Sequence, residues 1–259
     1  MVTIAVVNQK GGVAKTTTSV NLAVGLASNG YRVLLIDLDP QAHSTLALCI
    51  DSDEIGPEKT VASLFYDGTI RDILVDTIEP NLKLVPASIH LATAVESLYS
   101  VIFREVKLAK ALQAVKTEFD YVILDSAPNL GVLSINAIVA ATNILIPTRL
   151  SMYSLDGLNA LLNTIEKVKQ EPDTYDWRIV LTMVKGHGKE RQAAAWRILD
   201  PIADRILTSQ IRETEAIEKS QMSEEDDEIM AVVLQRPSSN RGAHDYRNLV
   251  KEIAALWPA

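Results

Sequence analysis

Short runs of apolar residues alternate along the chain with longer stretches in which apolar positions recur three and four residues apart. Continuous apolar runs mark strands buried on both faces, and a period near 3.6 residues marks helices packed on them. The runs predict strands over Thr3–Asn8, Arg32–Asp37, Leu82–Pro86, Tyr121–Asp125, Asn143–Pro147 and Arg178–Met183. Helical faces are predicted at Val20, Ala23, Val24 and Ala27, at Leu108, Leu112 and Val115, at Leu158, Leu161, Leu162, Ile165 and Val168, and at Tyr246, Leu249, Val250, Ile253 and Trp257. Strands separated by helices predict an α/β fold, a three-layer sandwich whose mainly parallel twisted sheet carries helices on both faces. With no internal repeat or long linker in view, residues 1–259 are expected to form one domain.

Composition narrows the classes. A chain that is 47% hydrophobic and 22% charged is an ordinary folded protein. The single Cys49 excludes an intrachain disulfide and a cysteine-ligated cluster, which removes an iron–sulfur carrier and fits a reducing cytoplasm. A leader and a membrane-spanning run are both missing from the pattern, so neither secretion nor membrane insertion is expected. A net charge of −8 opposes attraction of the whole molecule to DNA or acidic membranes. A local patch remains open, because Lys185, Lys189, Arg191, Arg197 and Arg205 precede the acidic run Ser223–Glu228.

Three strand ends carry chemistry. The first strand runs into Lys10-Gly11-Gly12-Val13-Ala14-Lys15-Thr16-Thr17. Small residues let backbone N–H groups approach phosphates, Lys15 supplies a point charge, and Thr16 offers a hydroxyl to Mg²⁺ at a helix N-terminus. Ala14 stands where a phosphate loop commonly has glycine, and its methyl is expected to require a negative φ. The second strand ends in Asp37-Leu38-Asp39-Pro40, which puts two carboxylates on one side of an extended chain. The Tyr121–Asp125 strand closes on Asp125 and resembles a Walker B segment, which implies that this carboxylate holds Mg²⁺ through water.

Lys10 at the head of the loop gives a two-lysine spacing that resembles the deviant Walker A motif of the ParA/MinD family of ATPases. The segments Asn81–Ala87, Ser154–Leu158 and Arg241–Tyr246 extend the resemblance over nearly the whole chain, closest to the short ParA or Soj-type proteins. It implies ATP and Mg²⁺ as cofactors, bound by Lys10, Gly11, Gly12, Val13, Ala14, Lys15, Thr16 and Thr17, with Pro237 beside the adenine. Lys10 then acts across an ATP-dependent homodimer on its partner's nucleotide, Asp39 positions the attacking water, and Thr16, Asp37 and Asp125 form the Mg²⁺ environment. The resemblance further implies nonspecific DNA binding in the ATP state, release through a ParB-like or McdB-like adaptor, and a nucleoid-associated cytoplasmic location. The cargo would be a plasmid, a chromosome or carboxysomes. Lys189, Arg191, Arg197 and Arg212 are the expected DNA contacts, against the acidic Glu215. Two other readings compete: a MinD-like membrane regulator, which needs a basic amphipathic last helix, and a metabolic enzyme of the same fold, similar to dethiobiotin synthetase.

Overall fold

The computed structural model describes residues 1–51, 55–150, 152–170, 174–185, 196–214 and 240–259. Its centre is one sheet of strands β1 (Val2–Val6), β2 (Val33–Leu38), β3 (Val75–Asp76), β4 (Leu82–Val85), β5 (Tyr121–Ser126), β6 (Asn143–Arg149), β7 (Asp176–Val184) and β8 (Ile206–Arg212). The spatial order is β3-β4-β2-β5-β1-β6-β7-β8. Pairing is parallel throughout except between β3 and β4.

Helices cover both faces: α1 (Lys15–Ser28), α2 (His43–Ala47), α3 (His90–Leu98), α4 (Lys107–Gln113), α5 (Val132–Ala140), α6 (Met152–Lys169) and α7 (Arg241–Leu256). Strand alternation divides the core into two layers. Ala5, Val7, Leu34 and Ile36 pack with α3 to α6, while Ile4, Val6, Val33 and Leu35 pack with α1 and α7. The central strands β2 and β5 are buried along their whole length, which is why they read as continuous apolar runs.

All six strands expected from the pattern are present, with ends shifted by a few residues. Two more strands close the sheet edges. β3 is only two residues long, and β8 offers just Leu207 and Ile211 to the core around a polar Thr208-Ser209-Gln210 centre. Neither carries enough apolar signal to stand out from a loop.

β1 lies between β5 and β6, so the chain leaves it toward one half of the sheet and later returns to build the other half. The carboxyl ends of strands at such a reversal frame a crevice, the usual ligand position in open α/β sheets.

Candidate functional site

Register assembles the site. Val6 stands opposite Asp125, and Asp125 opposite Asp37, so the loop after β1 and two buried carboxylates share the crevice. The loop is pinned from several sides. The Asn8 amide donates to the Pro147 carbonyl at 2.8 Å while its Oδ1 accepts the Lys10 N–H at 3.0 Å. Gln9 donates to the Gly157 carbonyl at 2.7 Å, and a Cβ on Gly157 would stand 2.6 Å from the same amide nitrogen. The Thr182 hydroxyl donates to the Val13 carbonyl at 3.0 Å. Gly11 and Gly12 remain exposed, and an added Cβ at either meets nothing within 4 Å. The crest of the loop is therefore open, which is the room a phosphate chain requires.

Lys15, the first residue of α1, is only 7% exposed, and its Nζ donates to the Lys10 carbonyl at 3.0 Å. Burial pulls its ammonium below the ordinary lysine value, opposed by the charges of Asp125 and Asp39. Thr16 follows at the same helix end, with its hydroxyl bonded to Asp125. Asp125 also accepts the Ser19 hydroxyl on Oδ1 at 2.8 Å and the Ser44 hydroxyl on Oδ2 at 2.7 Å. Burial raises its carboxyl above the usual range against these bonds and the Lys15 charge.

Asp37 is fully buried. Its Oδ1 accepts the Asp39 N–H at 3.0 Å, and its Oδ2 accepts the Thr45 N–H at 3.0 Å and the Thr45 hydroxyl at 2.8 Å. Burial, and then the charge of Asp125, push its carboxyl up to about 7 despite the three donors. Asp39 caps the following turn: its Oδ1 accepts the Gln41 N–H at 3.0 Å and its carbonyl accepts the Ala42 N–H at 2.9 Å.

The shifted carboxyl predicts a pH dependence. Asp37 ordinarily titrates near 3.8 and here near 7, so the folded chain holds a proton that the unfolded chain has lost. The resulting stabilisation is complete below about pH 4 and is lost as pH rises through 7, on the order of a few kcal/mol. Melting temperatures of the nucleotide-free protein should fall from pH 5 to pH 8, and Asp37→Asn should flatten that slope whatever its constant offset. Parallel curves for the two proteins would refute the assignment.

Ala14 corrects an expectation. Its φ is +62°, in the left-handed region, not the negative value that its methyl was expected to need. The loop holds it there because its carbonyl already accepts the Thr18 N–H at 3.0 Å as α1 begins. Ala14→Gly removes a strain of roughly 1–2 kcal/mol and adds back roughly 0.4–1 kcal/mol of unfolded-chain entropy. A net gain of up to about 1.6 kcal/mol is expected, visible as a higher melting point. A lower melting point would contradict it.

The donor set fits a nucleotide with Mg²⁺. Thr16, Asp37 and Asp125 are hard oxygen donors, the glycine crest is open, and a buried lysine sits at a helix N-terminus beside them. Comparison with known proteins agrees. A family model described as an AAA domain matches residues 1–176. Soj, the sporulation initiation inhibitor protein of Bacillus subtilis, is 38% identical over 255 residues, covering 97% of this chain and 98% of Soj. This chain belongs to the ParA/Soj-type P-loop ATPases. Two solved structures support the fold of this ATPase over nearly its whole length. Cobyrinic acid a,c-diamide synthase of Mycobacterium smegmatis, with bound ATP analogue and magnesium, is 30% identical with a TM-score of 0.80, covering 100% of this chain and 96% of that one. Apo McdA of Cyanothece is 25% identical with a TM-score of 0.82, covering 97% and 98%.

Not every expected residue of the ATPase falls in this crevice. Lys189, Arg191, Glu215 and Pro237 lie outside the described residues. Arg197 is exposed on a short helical segment. Arg212, at the end of β8, grips Asp245 of α7 through Nε at 2.9 Å and a terminal nitrogen at 2.6 Å, so much of its charge is spent on that carboxylate. Lys185 pairs with Glu213 at 3.1 Å and Arg205 with Asp176 at 2.8 Å. Sequence reasoning missed Ser19, Ser44 and Thr45, whose hydroxyls clamp the two strand-end carboxylates. The available signal was Ser44-Thr45 shortly after Asp39-Pro40, two small hydroxyl residues at the start of a helix.

Proposed function

We propose that this ParA/Soj-type ATPase is the nucleotide-driven switch of a partition or positioning system. ATP and Mg²⁺ are its cofactors, and Mg²⁺ when bound neutralises phosphate charge. Lys15 binds the phosphates from the base of the loop, Asp125 and Thr16 hold the metal side, and Asp39 orients water. The observation that carries the reading is the coupling of two lysines in one loop, with Lys15 Nζ on the Lys10 carbonyl. In the family resemblance the lysine at the head of the loop serves a second subunit, where it adds positive charge to the transferring phosphoryl group as an arginine finger does.

In this reading ATP favours a homodimer that binds DNA without sequence preference, and a ParB-like or McdB-like adaptor triggers hydrolysis and release. Its place in the cell is the nucleoid, its cargo a plasmid, a chromosome or carboxysomes, and residues 1–259 act as one ATPase domain. Membrane anchoring by α7 is disfavoured because its apolar residues Tyr246, Leu249, Val250 and Ile253, and Trp257 just after it, are buried against the core. Among the described residues no helix is long and apolar enough to cross a membrane.

The likeness to a diamide synthase favours one competing reading, an ATP-dependent metabolic enzyme. Sedimentation with and without Mg²⁺-ATP, with DNA fragments in parallel, separates the two. The switch predicts a dimer only with ATP and DNA co-sedimenting only with that dimer, lost steeply as salt rises. A monomer throughout, indifferent to DNA, with turnover dependent on a small-molecule acceptor, would establish the metabolic reading instead.

A further inference from the structure

Asp39 does not hold itself in place. Its N–H is fixed by Asp37 Oδ1, and the plane of the Asp37 carboxylate is fixed in turn by Thr45, which gives Oδ2 both its N–H and its hydroxyl. The same Thr45 oxygen accepts the Ala87 N–H at 3.0 Å, at the exit of β4. Thr45, Asp37 and Ala87 are each 0% exposed, so water cannot substitute for any of these bonds. One hydroxyl therefore joins three segments: the end of β2 that carries Asp39, the helix α2, and the chain leading from β4 into α3.

We infer that Thr45 is a positioning residue for ATP hydrolysis, acting through Asp37 on Asp39. This rests on the assignment of Asp39 to the attacking water. With its hydroxyl in place, Asp37 has two donors on one oxygen and one on the other, and its carboxylate cannot rotate without breaking a buried bond. Loss of the hydroxyl leaves the Ala87 N–H without its acceptor and Asp37 Oδ2 with a single donor. The carboxylate then tilts, and the Asp39 N–H it holds moves with it. Ser44, one residue earlier, performs the parallel task on Asp125 at 2.7 Å, on the metal side of the site. The two neighbours thus hold one carboxylate each: Thr45 fixes Asp37 and Ser44 fixes Asp125.

Thr45→Val keeps the volume and removes the hydroxyl; Thr45→Ser keeps the hydroxyl and removes the methyl. Three measurements on the full chain test the inference: steady-state hydrolysis with Mg²⁺-ATP, equilibrium binding of a non-hydrolysable ATP analogue, and amide exchange of the nucleotide-free protein at Asp39 and Ala87. For Thr45→Val the expected result is a kcat lower by about tenfold or more with KM and analogue affinity within about threefold, and faster exchange at both amides. Thr45→Ser should restore both kcat and protection. A kcat for Thr45→Val within about threefold of wild type overturns the inference, as does Thr45→Ser no better than Thr45→Val, or a loss confined to analogue affinity. Wild type that binds the analogue and turns over no ATP would instead overturn the ATPase reading, while the exchange data would still report the Thr45 tie.

Discussion

Lys15→Ala is expected to lower ATP hydrolysis by about a hundredfold or more and to weaken nucleotide binding with it. The size of the effect follows from where the ammonium sits. It is 7% exposed, at the first turn of α1, with Asp125 and Asp39 as its charged neighbours. A cation already stripped of most of its water interacts more strongly with a phosphate than a solvated one does, and it needs little reorganisation when the phosphate arrives. The Lys10 carbonyl at 3.0 Å keeps it aimed until then. Arginine is not an equivalent, since its planar fork is larger and cannot take the place of a compact point charge under a tight loop. Equilibrium binding and steady-state hydrolysis, with a melting curve to verify folding, check the prediction. A folded Lys15→Ala protein with unchanged affinity and turnover within about threefold of wild type would remove Lys15 from the phosphate site.

The strand ends that carry Asp37, Asp39 and Asp125 were legible because burial on both faces forces continuous apolar runs, and a charged residue closing such a run is conspicuous; Lys15 was legible from the glycine-rich loop before it. The parallel sheet followed from the same runs. What escaped is physically of another kind. Ser19, Ser44 and Thr45 act through single hydroxyls whose partners lie on other strands, and neither periodicity nor charge marks a hydroxyl that will meet a carboxylate 81 residues away, as Ser44 meets Asp125. The left-handed φ of Ala14 is imposed by the loop and the helix start it joins, not by any preference of alanine. β8 was illegible because its middle faces α7 with polar atoms: Glu252 accepts the Thr208 and Ser209 N–H groups, each at 2.7 Å. Arg212 was expected as a DNA contact, and its ion pair with Asp245, 33 residues further along the chain, leaves no mark in the sequence.

Lys10→Ala and Asp39→Ala are expected to break the ATPase cycle at opposite points, and each leaves two backbone hydrogen bonds of its residue in place. The Lys10 backbone is already committed, its N–H to Asn8 and its carbonyl to Lys15, and alanine keeps both bonds. Asp39 likewise keeps its N–H on Asp37 and its carbonyl on the Ala42 N–H after its carboxylate is gone. Asp39→Ala should bind ATP, accumulate as the dimer and lose hydrolysis by about a hundredfold or more. Lys10→Ala should bind ATP and sediment as a monomer. Mixing the two tests whether Lys10 acts on its partner. In a mixed dimer the nucleotide of the Lys10→Ala protomer meets its own Asp39 and the Lys10 of the Asp39→Ala protomer, which completes one site in two. If Lys10 served its own nucleotide, each site would lack one group and the mixture would stay inactive. Hydrolysis that appears only on mixing therefore establishes transfer of the lysine between subunits, and a mixture no more active than its components refutes it.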